Sequence, residues 1–278
     1  MAFESVTYPS YAKINLFLHI IGKRDDGYHD LQTWFQFVDI KDFLHFSLRK
    51  DNRITLSSNI SIAKEEENLV YKAALALKSC SREDSGIDVY IDKNIPMGAG
   101  LGGGSSNAAT TLIALNSLWQ YNLSCKKLDQ LGCALGADVP IFLLQKTAWA
   151  DGIGEILSPK PYVEQYVLII KPDFHASTVT LFNHPHLNKH KPKLNRENVS
   201  DPLVHENVFL KVIQKIHPKV WLNLQKLPDA KALRLTGTGA CFYLLSKDYN
   251  LLLQNKKKLK KGVDSWIVKT LNFAPVDL

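Results

Sequence analysis

The sequence predicts a two-domain α+β protein, on three observations. Apolar residues recur at period two through the N-terminal third. The period turns helical after residue 65. Strands and helices then alternate without the regular βαβ beat of a doubly wound parallel sheet. At 278 residues the chain suits one large domain or two ordinary ones, and a composition shift near residue 160 divides it into 1–160 and 161–278.

In AKINLFLHII, Ile14, Leu16, Leu18 and Ile20 share one face of a strand, and Lys13, Asn15, Phe17 and His19 share the other. KRDDGYHD supplies a turn centred on Asp26-Gly27. LQTWFQFVDI follows as the second strand of a hairpin, and FLHFSLR and ITLSS continue the sheet. EEENLVYKAALALKSC places Leu69, Ala73, Ala76 and Leu77 at helical spacing, with acids in the first turn. GIDVYID returns to strand. SSNAATTLIALNSLWQ is a helix opened by Ser105, Ser106 and Asn107 as cap residues. SCKKLDQLGCALG is a further helix stopped around Gly136, and ADVPIFLL leads into a strand through Pro140. GIGEILSP reads as a turn and a short strand. Beyond residue 160 come a strand in QYVLIIKP, helices over 203–217 and 219–226, a strand pair around LRLTGTGACFYLL, and a Lys-rich helix near 248–261.

With 45% hydrophobic and 22% charged residues, the composition is that of a folded soluble protein. No apolar run reaches the roughly 18–20 residues of a membrane span. No basic leader precedes the first apolar stretch, which argues against a secretory signal. Cys80, Cys125, Cys133 and Cys241 form no CxxC pair, and few scattered thiols suit a reducing cytoplasm. The net charge of +7 is uneven: residues 1–150 hold 15 Lys/Arg against 16 Asp/Glu, and the remainder 19 against 11. Much of the excess sits in HKPKLNR and NKKKLKKG, where no aromatics interleave. These read as solvated surface rather than a nucleic-acid patch, although a mildly basic half helps attract an anionic small molecule. His184, His186 and His190 lie in a proline-bearing loop without acids or cysteines nearby, a poor zinc site; no protein-held metal is expected.

The stretch IPMGAGLGGGSSNAA, residues 95–109, concentrates glycine where a chain must bend sharply or approach something closely. A Walker loop is excluded, since no lysine follows the glycines. Gly98, Gly100 and Gly103 match GxGxxG, but Pro96 and charged residues separate the loop from its strand, and no acid near position 120 could take a ribose hydroxyl. The remaining reading is a glycine turn feeding a helix N-terminus. Its free N–H groups, positive helix end and hydroxyls at Ser105 and Ser106 would hold a polyphosphate or its metal.

PMGAGLGGGSSNAA resembles the second motif of the GHMP kinases. The further stretches AKINLFLHIIGKRDDGYHDLQTWFQF, LGADVPIFL, GIGEIL and LTGTGACFY resemble the branch of that family whose substrate is a cytidine diphosphate sugar-alcohol. The similarity runs nearly end to end and is weakest across 50–65, 185–230 and the Lys-rich tail. It implies an ATP-dependent small-molecule kinase of the non-mevalonate isoprenoid route that phosphorylates the 2-hydroxyl of its substrate. It further implies an N-terminal ATP-binding domain, a C-terminal ferredoxin-like domain and an active site in the cleft between them. Such a protein is cytoplasmic, a monomer or weak homodimer, with no nucleic-acid or membrane partner.

The same resemblance assigns residues. Asp138, by itself a plausible cap or turn former, matches the proposed catalytic base, and Lys13 is placed beside it to offset charge moving between oxygens. Pro96, Met97, Gly98, Ala99, Gly100, Leu101, Gly102, Gly103, Gly104, Ser105 and Ser106 form the ATP loop, with Asn68 and Lys93 in the adenine pocket. Tyr28 and Phe182 sandwich the cytosine, although such rings in strand-like segments more often belong to a core. His29 hydrogen-bonds the edge of the base, Asn15 and Thr178 hold the phosphate and erythritol portions, and Gly237, Thr238 and Gly239 face the active site. Mg²⁺ arrives with ATP and keeps mostly phosphate, water and Ser106-type ligands. Mevalonate or homoserine kinases are rivals within the family, and Tyr28, His29 and Phe182 discriminate, since a substrate without a base needs no aromatic clamp.

Overall fold

The computed structural model describes residues 5–62, 64–80, 86–174 and 177–276. β1 (Val6–Lys23) and β2 (His29–Arg49) form a long antiparallel hairpin, and Gly27 supplies the turn with a φ of 87°. LQTWFQFVDI and FLHFSLR are one continuous strand. Between Asn15 and Leu18 the register slips by one residue, a bulge that breaks the predicted two-face alternation. Phe17 therefore joins Ile14 and Leu16 in one apolar cluster, while Leu18 and Ile20 enter another. Lys13 and Asn15 are buried, at 2% exposure each.

β3 (Ile54–Ser58) runs parallel to β4 (Gly86–Asp92), which pairs antiparallel with β2. The helix α1 (Leu69–Lys78) lies between them in sequence. Its acids are not in its first turn: Glu65–Glu67 form a separate 3₁₀ turn, and Asn68 is the cap, accepting from the Val70 N–H at 2.9 Å. α2 (Gly103–Leu118) runs through the interior of this half and packs against α1, β1 and β2. Ala108, Ala109, Thr110, Thr111 and Ala114 are all buried; small residues let a helix enter a core on every side. α3 (Cys125–Leu135) is capped by Ser124 and ends at Gly136, as the sequence predicts.

VPIFLL is not a strand. Residues Val139–Leu144 form a short helix, α4, against α2 and α3. Six consecutive apolar residues carry no period that separates helix from strand. Pro140 sits in the first turn, where a helix needs no N–H from it, so the proline starts a helix here. β5 (Ala148–Asp151) then pairs with β2 and with β6 (Ile156–Pro159).

The second half holds β7 (Tyr166–Lys171), α5 (Thr178–Phe182), α6 (Leu210–Ile216), α7 (Pro218–Leu224), β8 (Arg234–Leu235), β9 (Phe242–Ser246), α8 (Tyr249–Lys257) and β10 (Asp264–Leu271). The helix predicted from residue 203 starts only at Leu210, because Pro202–Val204 close a single 3₁₀ turn. α8 is capped by Asp248, and Lys256 and Lys257 in its last turn complement the negative end of its dipole. β10 pairs antiparallel with β7 and, through Thr270 and Leu271, with β2. The strand order β3-β4-β2-β10-β7-β9-β8 thus carries one sheet across both halves. An apolar cluster joins Ile14, Leu16 and Trp149 to Val167, Ile169 and Tyr243, and it receives Ile95, Ala99 and Leu101 from the glycine loop. Those three side chains anchor the loop to the junction.

Candidate active site

A cleft of about 840 Å³ opens between the glycine loop, the start of α4, α5 and the turn between β8 and β9. The loop is threaded as an improvised strand. The Lys13 N–H donates to the Leu101 carbonyl at 3.0 Å, and the Cys241 N–H donates to the Ala99 carbonyl at 3.2 Å. Gly100 and Gly102 take φ of 72° and 73°, where side chains are disfavoured. A Cβ on Gly100 would fall 2.3 Å from the Thr236 carbonyl oxygen, and one on Gly102 would fall 2.7 Å from the Phe142 ring. The glycines let two backbone turns touch. Gly103 has another reason: its Cβ would press on Ile95 and the Lys93 ammonium beneath the helix, not on a ligand.

Gly102 is the N-cap of α2, and no side chain caps the helix. Ser105, Ser106 and Asn107 are therefore not caps; they lie inside the first turns. The Ser106 N–H makes a bond to the Gly102 carbonyl at 2.8 Å, and the three N–H groups before it lack intrahelical acceptors. They point outward at the positive end of the dipole, an anion site by construction. Ser105 and Gly98 line the cleft, Gly104 and Met97 are exposed, and Pro96 is half-buried at the loop's start. Ser106 does not face the cleft. It is 1% exposed, and its hydroxyl lies 2.7 Å from that of Ser10.

Beneath this helix end lies a polar network no sequence motif announced. Asp42, fully buried, accepts from the Asn94 N–H (2.7 Å), the Ile95 N–H (2.8 Å), Asn107 Nδ2 (2.8 Å) and Lys93 Nζ (2.5 Å). Asn107 also donates to Ser10, and its Oδ1 accepts from Lys93. Lys93, expected in an adenine pocket, gives two of its three ammonium protons to Asp42 and Asn107. Asn68, the other residue expected there, caps α1 through its Oδ1.

Lys13 Nζ sits 3.1 Å from Asp138 Oδ2, with side-chain exposures of 3% and 39%. The same ammonium donates to Asn15 Oδ1 at 2.9 Å and lies 5.1 Å from the centre of the Phe35 ring. Asp138 immediately precedes α4, makes no capping bond and lines the cleft. A fixed cation thus holds a carboxylate at the cleft wall, where it can accept a proton while nearby charge is offset.

Asn15 lines the cleft, with its amide oxygen engaged by protein donors and one of its two amide protons used. Its Oδ1 accepts from Lys13 and from the Gly237 N–H (3.0 Å), and its Nδ2 donates to Thr33 (2.9 Å). It locks the lysine to the Thr236–Gly239 turn. Thr178 opens α5, and its hydroxyl lies 3.1 Å from that of Thr238 across the cleft.

At the far end, His29 and Phe182 lie 5.2 Å apart between ring centres at 32°, and Phe182 meets Phe209 edge-on at 4.9 Å. Phe182 ends a short helix rather than lying in a strand. Tyr28, 60% exposed, stands at the mouth. His29 is buried, and its Nε2 has no partner among the described residues. Burial, then the charges of Lys189 and Lys23, hold its imidazole below the ordinary value of 6.5. An orphaned ring nitrogen beside aromatic faces suits the edge of a nucleobase.

Mg²⁺ carried by a nucleotide fits this chemistry. Among the described residues no group of three or more His, Cys, Asp or Glu could cage a metal, but Ser105 offers one hydroxyl at the anion site. No helix among the described residues is long and apolar enough to cross a membrane.

The fold and the loop define a small-molecule kinase of the GHMP type. The family model for the GHMP kinases N terminal domain matches residues 68–146. A 4-diphosphocytidyl-2-C-methyl-D-erythritol kinase of Francisella tularensis is 52% identical over 267 residues, 96% of each chain. That of Francisella philomiragia is 50% identical over 268 residues, 96% of this chain and 97% of its own. A crystal structure of 4-(cytidine 5'-diphospho)-2C-methyl-D-erythritol kinase superposes with a TM-score of 0.80 at 27% identity, covering 95% of this chain and 99% of that one. The chain belongs to the 4-diphosphocytidyl-2-C-methyl-D-erythritol kinases.

Proposed function

We infer that the chain transfers the γ-phosphoryl group of ATP to the 2-hydroxyl of 4-diphosphocytidyl-2-C-methyl-D-erythritol, a step of non-mevalonate isoprenoid synthesis. The observation that carries this reading is the Lys13–Asp138 pair, held between an anion-binding helix end and an aromatic pocket in one cleft. A protein that only binds nucleotide gains nothing from a carboxylate beside phosphates.

The three free N–H groups of α2 and its dipole hold the ATP phosphates. Asp138 accepts the proton of the acceptor hydroxyl, whose oxygen bonds to the γ-phosphorus as the bond to the β,γ-bridging oxygen breaks. ADP leaves. Lys13 offsets the negative charge at the reacting oxygens, and Asn15 fixes the lysine. His29 hydrogen-bonds the cytosine edge, with Phe182 and Tyr28 against its faces; Thr178 and Thr238 take the polar middle of the substrate. Mg²⁺ would neutralise the phosphates, with Ser105 its protein hydroxyl. The reaction is cytoplasmic, and the ATP-binding half ends near residue 160, where β6 gives way to β7.

ADP release with the cytidine substrate, mevalonate and homoserine tests the reading. Turnover is expected with the first alone. Equal turnover with an acceptor that lacks a base would contradict the aromatic assignment.

A further inference from the structure

Asn207 belongs to no motif, lies 5% exposed behind the cleft, and reaches both of its ends. Its Nδ2 donates to the carbonyls of Leu235 at 3.0 Å and Gly237 at 2.8 Å, which flank Thr236. Its Oδ1 accepts from the Phe209 N–H at 3.0 Å. Both amide protons and the carbonyl are used, so the amide plane has one orientation. The segment is strapped to β1 beside the bulge: the Leu18 N–H donates to the Glu206 carbonyl (3.3 Å), and the Val208 N–H to the Leu18 carbonyl (2.9 Å).

Each bond leads to a different part of the site. Gly237 donates its N–H to Asn15, which holds Lys13, and a Cβ on Gly237 would lie 2.9 Å from the Gly100 Cα of the ATP loop. Phe209 is fully buried and forms the floor under Phe182, which faces His29. We propose that Asn207 is a positioning residue: its amide fixes the phosphoryl-transfer turn, through Gly237, relative to the base pocket, through Phe209. This rests on the two-substrate reading above. The spacing between the reacting hydroxyl and the bound base is then set by one side chain, and misplacement of either end costs rate.

Asn207→Asp separates the two arms. It keeps the acceptor for Phe209 but turns an oxygen toward two carbonyls. We expect kcat to fall about tenfold or more, with the KM for the cytidine substrate within about twofold of wild type. Phe209→Leu should do the reverse, raising that KM about fivefold or more with kcat within about twofold. A residue with only a structural role would lower Tm without this split. A kcat within twofold for Asn207→Asp, or the same KM rise in both variants, would overturn the proposal. In the wild type, the Asn207 side-chain amide, observed with ¹⁵N-asparagine, should shift when cytidine substrate or a non-hydrolysable ATP analogue is added. If neither moves it, the tie is refuted even should Asn207→Asp not fold. Wild-type turnover with the cytidine substrate judges the reaction itself, separately from the split between variants.

Discussion

In the proposed reading, the nucleotide end and the cytidine end of the cleft are built by opposite means. The first is mostly backbone: an uncapped helix end, glycines at positive φ, and a buried Asp42–Lys93–Asn107 network below. The second is side chains from distant elements, with Tyr28 and His29 from the hairpin and Phe182 from α5. Backbone donors bind any polyphosphate, whereas rings and one orphaned nitrogen select a base. The proposed function then expects affinity for ATP to be tuned from beneath the loop, and choice of acceptor at the cleft mouth. Lys13 and Asp138 stand where the two meet.

The largest effect should fall at that meeting point. Asp138→Asn keeps size but cannot accept the proton, and general base catalysis contributes ~10²–10⁴-fold, about 3–5 kcal/mol of barrier. Turnover should drop by that order while calorimetry finds both substrates bound near wild-type affinity; turnover within threefold of wild type would remove the base assignment. Lys13→Met should also be slow, and the double variant should fall well short of multiplying the two losses, because the groups act as a unit.

Next comes the nucleotide end. Asp42→Asn leaves the Lys93 ammonium, 6% exposed, without its counter-ion. Breaking a buried pair in this way costs about 3–5 kcal/mol of stability. The KM for ATP should rise while that for the cytidine substrate stays level. Denaturant melts with steady-state kinetics check both, and equal movement of the two constants would break the separation of the ends.

At the cytidine end, Tyr28→Ala and Phe182→Ala should each weaken the cytidine substrate by about 1–3 kcal/mol, read as KM, and leave the ATP constant alone. The smallest effect is a pH dependence. His29 titrates below its ordinary 6.5, so it stays neutral at and above neutral pH. Acidification through its lowered value charges the ring inside an apolar pocket. The cytidine KM should hold steady from pH 8 down to about 6.5 and rise below it, and His29→Gln should flatten that rise.

The glycine loop was legible in the sequence because its motif is contiguous: glycine spacing and a following helix can be read from one stretch. Its supports were not. Asp42 sits in VDIKDF without a pattern, and only folding brings it to Lys93 and Asn107. The hairpin was legible from alternation, but the bulge after Asn15 was not, since Ile14, Leu16, Leu18 and Ile20 run in unbroken alternation through it in the sequence. α4 was misread because VPIFLL has no period. Lys93 and Asn15, assigned to ligands by the family resemblance, also hold protein partners, Asp42 and Asn107 for the first and Lys13, Thr33 and Gly237 for the second. Sequence shows which residues can hydrogen-bond; it does not show which are already satisfied.

The central claim is tested most directly by the position of the new phosphate. Carbon 2 of 2-C-methyl-D-erythritol carries a methyl group and no hydrogen. ³¹P NMR of the product formed from ATP and the cytidine substrate should show one new phosphomonoester without three-bond coupling to a proton, with ADP formed in equal amount. A phosphomonoester split by a carbinol proton, or ADP formed without any new ester, would contradict the account.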